Sequence, residues 1–403
     1  MLKLADRPIE DAIRVLATLG VEAAYLVPTA TGLEKSILDA HQSLRDYFKS
    51  SGIHDFTAQK QGDAGKKIVP CLISDGVNLV NAKASLYRPE TKSGDPRIWF
   101  YGLKALAKPG NLLAILVKGG QLHALNLSDP RTFSALRDPK TPVGQAVNTA
   151  ALIVSEPVSD LLGKLTDIGA RGYVTSLKTG DTGVGYTLET MLGIDANANR
   201  GPDYRGIEIK ASRVKKSGRD SNRVNLFSQV PDWKNSHLKS GLQILKHHGY
   251  VDTATQRRQL YCTVGEKPNS QGLYLMVDGV KGRVDNLCDK PTPAQPVVCW
   301  SLGKLHEHLL EKHRQTFWVK AKHKRDGEGR EEFHFVEVEH TQGPFLANFA
   351  PLVEIGAITM DYLLHEEKTT GGRVKSRDHG YLFKIKPQNL DLLFPPSKWY
   401  PLF

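Results

Sequence analysis

The eight residues Asp203-Tyr204-Arg205-Gly206-Ile207-Glu208-Ile209-Lys210 set the strictest condition on how this chain can fold. Successive side chains of a strand point to opposite faces. Ile207 and Ile209 therefore require a core on one side, while Glu208 and Lys210 stand together on the other. Tyr204-Arg205-Gly206 reads as a turn that folds Asp203 back beside Glu208. Two carboxylates and an ammonium are then confined to one small volume. Neighbouring carboxylates repel unless a cation lies between them. A hard divalent ion such as Mg²⁺ suits, because it takes oxygen ligands and keeps several waters. Such an ion polarises a phosphoryl oxygen and steadies the leaving oxygen. A lysine ordinarily keeps its proton at neutral pH and adds positive charge to the transition state. These parts suit metal-assisted phosphodiester hydrolysis. An Asp-x4-Glu-x-Lys string also occurs on strands whose charged face is merely solvated, so its context decides.

The chain has 403 residues, 54 Lys+Arg against 43 Asp+Glu, and a formal charge of +11. That excess suits a polyanionic partner without naming one. At 40% hydrophobic residues there is enough apolar material for two folded domains. No apolar run approaches the ~20 residues of a membrane-spanning helix. The N-terminus turns acidic and polar too early for a secretion signal. The 4 cysteines have no scaffold spacing, which points to a reducing, cytoplasmic setting.

Glu10-Asp11 followed by Ile13, Val15, Leu16 and Leu19 predicts a first helix. Leu33, Ile37, Leu44 and Phe48 predict a second from Leu33 to about Ser50. From about Ile53, short apolar runs between Gly, Asp, Asn and Pro predict a small antiparallel β domain. It ends in the polar stretch around residues 134–145. A helix beginning near Ser155 buries Val158, Leu161, Leu162, Leu165 and Ile168, and another covers Gly185 to Leu192. Mixed strands and a helix from Leu302 to His313 follow. The expected organisation is a smaller β-rich α+β domain at 1–145 and a larger α/β domain at 150–403.

The segment GVGYTLETMLGI, the pair Pro202-Asp203 and the run GIEIKA resemble the MvaI/BcnI family of type II restriction endonucleases. They are also similar to the mismatch-repair nickase MutH, which shares the PD-(D/E)xK fold. NLFSQVPDW (Asn225 to Trp233) and RDHGYLFKI (Arg377 to Ile385) continue the resemblance in family order, over roughly residues 155–403. It implies a MutH-like α/β core, a mixed sheet flanked by helices. It implies that Asp203 and Glu208 are Mg²⁺ ligands, with the Ile209 carbonyl completing the set. Lys210 would be the catalytic lysine, and Glu189 the helix glutamate bordering the site. The activity implied is sequence-specific double-stranded DNA cleavage to 5′-phosphate and 3′-hydroxyl ends. Family sites are short, such as CC(A/T)GG or CC(C/G)GG. The resemblance further implies a monomer, a cognate DNA methyltransferase, and the cytoplasm of a prokaryotic cell or a phage-associated origin. The alternatives are a MutH-like nickase and a DNA-binding protein without catalysis.

Arg213, Lys215, Lys216, Arg219 and Arg223 leave the catalytic strand as a cationic loop suited to phosphates. Arg373, Lys375, Arg377 and His379 stand in or after a glycine-rich loop, where arginine can read guanine edges. In the family this region supplies base recognition, which favours Arg377 and His379. In the first domain, Arg88, Lys92 and Arg97 lie near Trp99 and Tyr101, a set suited either to DNA contact or to plain packing. An extra N-terminal domain similar to the effector domain of EcoRII occurs in some relatives, so a second DNA-binding role is expected for residues 1–145.

Overall fold

The computed structural model describes residues 9–91, 93–148, 156–194, 202–214, 223–290, 292–368 and 374–402. The chain forms two compact units. One comprises residues 1–149, 224–307 and 345–393, and the other 150–223, 308–344 and 394–403. The spatial division thus differs from the contiguous one at 1–145 and 150–403: two later segments join the N-terminal residues.

In the first unit, strands β1 (Ala24–Leu26), β2 (Leu38–Asp39), β3 (Lys67–Asp75), β4 (Asn78–Tyr87), β5 (Arg97–Phe100), β6 (Leu113–Lys118) and β7 (Gln121–Asn126) form one sheet. Their order is β1-β6-β7-β3-β4-β5-β2. It is not wholly antiparallel as expected, because β3 and β7 run parallel. The helix expected from Leu33 to Ser50 is broken in two. Helix Ala30–Lys35 stops at Ser36, whose φ of 58° is left-handed and whose N–H closes back on the Gly32 and Leu33 carbonyls. Leu38 and Asp39 then pair with Ile98 and Arg97 before helix Gln42–Ser50 begins. The polar stretch near 134–145 also holds short helices, Pro130–Ala135 and Pro142–Val147.

The same unit contains β10 (Val224–Ser228), β11 (Tyr250–Val251), β12 (Arg258–Val264), β18 (Ile358–Lys368) and β19 (Val374–Ile385) in the order β10-β19-β18-β12-β11. Strands β13 (Leu273–Asp278), β14 (Arg283–Cys288) and β15 (Gln295–Ser301) make a separate sheet. The N-terminal residues pack directly on these later segments. Ala347 belongs to the N-terminal apolar core. Asp46 meets His306 Nδ1 at 2.7 Å, Arg14 meets Asp391 at 2.5 Å, and Gln42 N donates to Gly279 O at 3.1 Å.

In the second unit the strands are β8 (Val174–Thr175), β9 (Glu208–Arg213), β16 (Gln315–Arg325), β17 (Glu331–Gln342) and β20 (Lys398–Pro401). The order is β20-β17-β16-β9, with β8 on β17 and β9 parallel to β16. This mixed sheet with flanking helices is the α/β core that the sequence resemblance implies. Ile207 and Ile209 enter a core with Phe317, Val319, Phe333 and Phe335, covered by Val158, Leu161, Leu165 and Ile168 of helix Glu156–Gly169.

The two units carry buried titratable groups of opposite sign. In the first, burial raises the Glu22 carboxyl from 4.5 to about 7, against the pull of the Leu346 and Ala347 N–H groups. Its stability is therefore full below pH 4.5 and falls as pH rises towards 7. In the second, burial depresses His340 from 6.5 to about 4. Its contribution is full above pH 6.5 and is lost as pH falls towards 4. Each shift corresponds to roughly 3 kcal/mol at the limit. Denaturant titrations between pH 4 and 8 are expected to show Glu22→Gln gaining on the wild type as pH rises. His340→Phe should gain on it as pH falls.

Candidate active site

A tight turn sets the site. Arg205 (φ 45°) and Gly206 (φ 89°) are both left-handed, as the two central residues of a type I′ hairpin require. Tyr204 N donates to Ile207 O at 2.9 Å, and Ile207 N to Tyr204 O at 2.7 Å. Helix Glu156–Gly169 anchors this turn. The Tyr204 hydroxyl donates to Asp160, Lys164 donates to that hydroxyl at 2.6 Å, and Arg205 grips Glu156 at 2.7 and 3.0 Å. The chain therefore doubles back, and Asp203 Oδ2 accepts a hydrogen bond from Ile209 N at 2.9 Å. The N–H and C=O of one strand residue point to the same side. The Ile209 carbonyl, on edge strand β9, is thus directed to the side that Asp203 occupies.

Glu208 is 0% exposed, whereas the side chain of Lys210 is 29% exposed. The sequence predicts both on one face of the strand, and on that face the glutamate is enclosed. Lys210 stands against Glu208 Oε1, and Lys312 Nζ lies 2.8 Å from Oε2. Both contacts are ion pairs, one at each carboxylate oxygen. Lys312 ends helix Leu302–Lys312. The parallel register pairs Thr316 with Glu208, so the chain entering β16 passes the glutamate and delivers Lys312 there. No local spacing could have announced this lysine. The signal lies in the strand register alone.

Glu189, on helix Gly183–Met191, faces the same charges. Burial raises its proton affinity, Asp203 and Glu208 add to that, and Lys210 and Lys312 oppose it. Burial likewise raises Glu208, with Lys210 the main opposing influence. Among the described residues, no group of three or more His, Cys, Asp or Glu side chains is placed to hold a metal ion by itself. The all-oxygen donor set of the Glu208 and Asp203 carboxylates and the Ile209 carbonyl fits a hard divalent ion that keeps part of its water.

The expected DNA contacts fall in different settings. Arg213 is engaged: it binds Glu331 through two bonds of 2.7 Å, donates to the Gly180 and Asp181 carbonyls, and lies over the Phe333 ring. Lys215, Lys216, Arg219 and Arg373 lie outside the described residues. Arg377 and His379 are exposed on β19. Arg377 and Lys375 share Glu367 at 3.1 Å, and His379 stacks on His365 with centroids 5.2 Å apart. Sequence reasoning missed His365, which also contacts the Tyr261 hydroxyl at 3.1 Å. Gly380 beside them has φ 118°, and a Cβ there would meet Leu382 at 2.6 Å, so this bend requires glycine. Arg88 donates to the carbonyls of Gln59, Ser93 and Gly94 and holds its own loop. Arg97 lies between Asp39 and Tyr87 in the sheet register.

A model of the MvaI/BcnI restriction endonuclease family matches residues 162–394. The chain belongs to this family. It is accordingly a type II site-specific deoxyribonuclease, a sequence-specific DNA endonuclease. The solved complex of restriction endonuclease MvaI with its cognate DNA substrate is similar at TM-score 0.52 and 19% identity, covering 62% of this chain and 100% of that one. MvaI in the absence of DNA matches at TM-score 0.40 and 21% identity, covering 62% and 99%. At these identities the first likeness shows the fold. Comparison with curated protein sequences finds no match. No helix among the described residues is long and apolar enough to cross a membrane.

Proposed function

We propose that this MvaI/BcnI-family endonuclease hydrolyses both strands of duplex DNA with Mg²⁺, leaving 5′-phosphate and 3′-hydroxyl ends. The observation that carries the reading is Glu208, wholly buried with lysine ammoniums at both oxygens, beside an Asp203 folded back onto the Ile209 amide. Asp203, Glu208 and the Ile209 carbonyl would hold the ion, which supplies Lewis-acid stabilisation of the phosphoryl oxygen and the leaving oxygen. Lys210 places positive charge beside the scissile linkage. Glu189 borders the same volume, and its raised proton affinity suits holding a water by a hydrogen bond.

Duplex DNA as partner is supported by the family and by the MvaI–DNA complex. Arg377 and His379, exposed at the end of the β18–β19 pair, are the proposed base-reading side chains. A short site of the CC(A/T)GG or CC(C/G)GG kind, monomeric action, a cognate methyltransferase and a cytoplasmic location in a prokaryotic or phage-associated setting complete the proposal. Residues 1–145 are proposed as a second DNA-contacting region. Lys66 and Lys104, held over the Tyr87 and Trp99 rings at 5.6 and 5.9 Å, support that role.

Digestion of a supercoiled plasmid of known sequence, followed by end mapping, tests the reading. Linear DNA with ligatable 5′-phosphate ends at one recurring sequence is expected with Mg²⁺. Persistent nicked circles would replace it with a nickase, and binding without any cleavage would reduce the chain to a DNA-binding protein.

A further inference from the structure

The proposed chemistry needs one lysine beside Glu208, yet two are present. Their tethers differ. Lys210 shares a strand with Glu208 and sits two residues further along the same face, so its ammonium cannot leave the neighbourhood. Lys312 arrives from a separate helix on a flexible four-carbon stem, and its side chain is 21% exposed. It also ends that helix, where the last carbonyls offer a cation a second favourable resting place. The charges discriminate further. Fully ionised, the three carboxylates of Glu189, Asp203 and Glu208 outweigh the two ammoniums by one negative charge. A divalent cation added to that set leaves one positive charge, which matches a singly charged phosphodiester.

We propose that Lys312 is the displaceable counter-ion of Glu208. It neutralises the buried carboxylate at Oε2 before a metal ion binds, yields that oxygen to the ion, and then presents its ammonium to the DNA phosphodiester. This rests on the reading of Asp203 and Glu208 as metal ligands. In the absence of metal, Lys312 removes the cost of an uncompensated buried charge. Once the metal has taken Oε2, the same ammonium becomes available to the substrate.

Mn²⁺ binding to the DNA-free protein, read by electron paramagnetic resonance, separates the two claims. Asp203→Ala is expected to weaken Mn²⁺ binding at least about tenfold. Lys312→Met is expected to tighten it roughly fivefold, because no ammonium competes for Oε2. Single-turnover cleavage by Lys312→Met at saturating Mg²⁺ should still fall about tenfold or more. Weakened binding in Asp203→Ala with unchanged or weaker binding in Lys312→Met would overturn the Lys312 proposal alone. Unchanged binding in Asp203→Ala would overturn the metal-ligand reading and this proposal with it. A second measurement uses the wild type and so does not depend on the variant folding. Reductive methylation of Lys312, followed by peptide mass spectrometry, should run at least about threefold faster with saturating Ca²⁺ than without, since an ammonium held at a buried carboxylate is shielded. Equal rates would overturn the proposal.

Discussion

Asp203→Ala is expected to reduce single-turnover DNA cleavage by about 10³-fold or more while changing duplex affinity only a few-fold. Among the described residues the side chain makes one hydrogen bond, accepting from Ile209 N, so its loss costs the fold only about 1 kcal/mol. The turn that carries it is held by other means, the reciprocal Tyr204–Ile207 backbone bonds and the Arg205–Glu156 pair. A large loss of rate in a protein that still melts cooperatively and still binds DNA therefore isolates the chemistry. The measurement is cleavage at saturating enzyme beside a binding isotherm without metal. Equal losses in rate and affinity would assign Asp203 to DNA binding instead.

Removing residues 1–149 is expected to unfold what remains of the first unit, residues 224–307 and 345–393. Helix Leu346–Glu354 buries Leu346, Ala347, Phe349, Ala350, Leu352 and Val353, and it packs against helix Gln42–Ser50, which the deletion removes. His306 is 3% exposed and would lose Asp46, its partner at Nδ1, while its Nε2 already has none. Ala347 N would lose the Glu22 carboxylate at 3.1 Å. Each orphaned buried group costs about 1–3 kcal/mol. Together with the exposed apolar surface, this approaches the roughly 5–15 kcal/mol that holds a typical domain. Circular dichroism melting of residues 150–403 checks this, and a transition near the full-length Tm with the full amplitude expected of those residues would contradict it. For the same reason, a DNA role of the N-terminal residues is better probed in the full chain, with Lys66→Glu and Lys104→Glu.

The hairpin from Asp203 to Lys210 was legible because everything that makes it is local. A two-residue period fixes the faces, and one glycine permits the turn. The enclosure of Glu208 was not legible, because it depends on a helix and a strand that join the sheet only after the chain has passed through the segment 224–307. Lys312 was hidden for the same reason. Arg213 looked like the first cation of a DNA-binding loop, but its guanidinium answers Glu331, brought near by the pairing of β9, β16 and β17. The helix expected over 33–50 failed at Ser36. Leu33, Leu44 and Phe48 are all buried, so apolar periodicity ran through a left-handed break that it cannot register. The contiguous division near residue 150 rested on a change of texture, which does not reveal that later segments return to complete the first core.

Anomalous diffraction from crystals soaked with Mn²⁺ tests most directly whether these residues form a metal-dependent nuclease centre. The account predicts a peak within roughly 2–2.5 Å of carboxylate oxygens of both Asp203 and Glu208 and of the Ile209 carbonyl oxygen. A map with no peak at these atoms, from crystals of a protein shown to cut DNA with Mn²⁺, would contradict it.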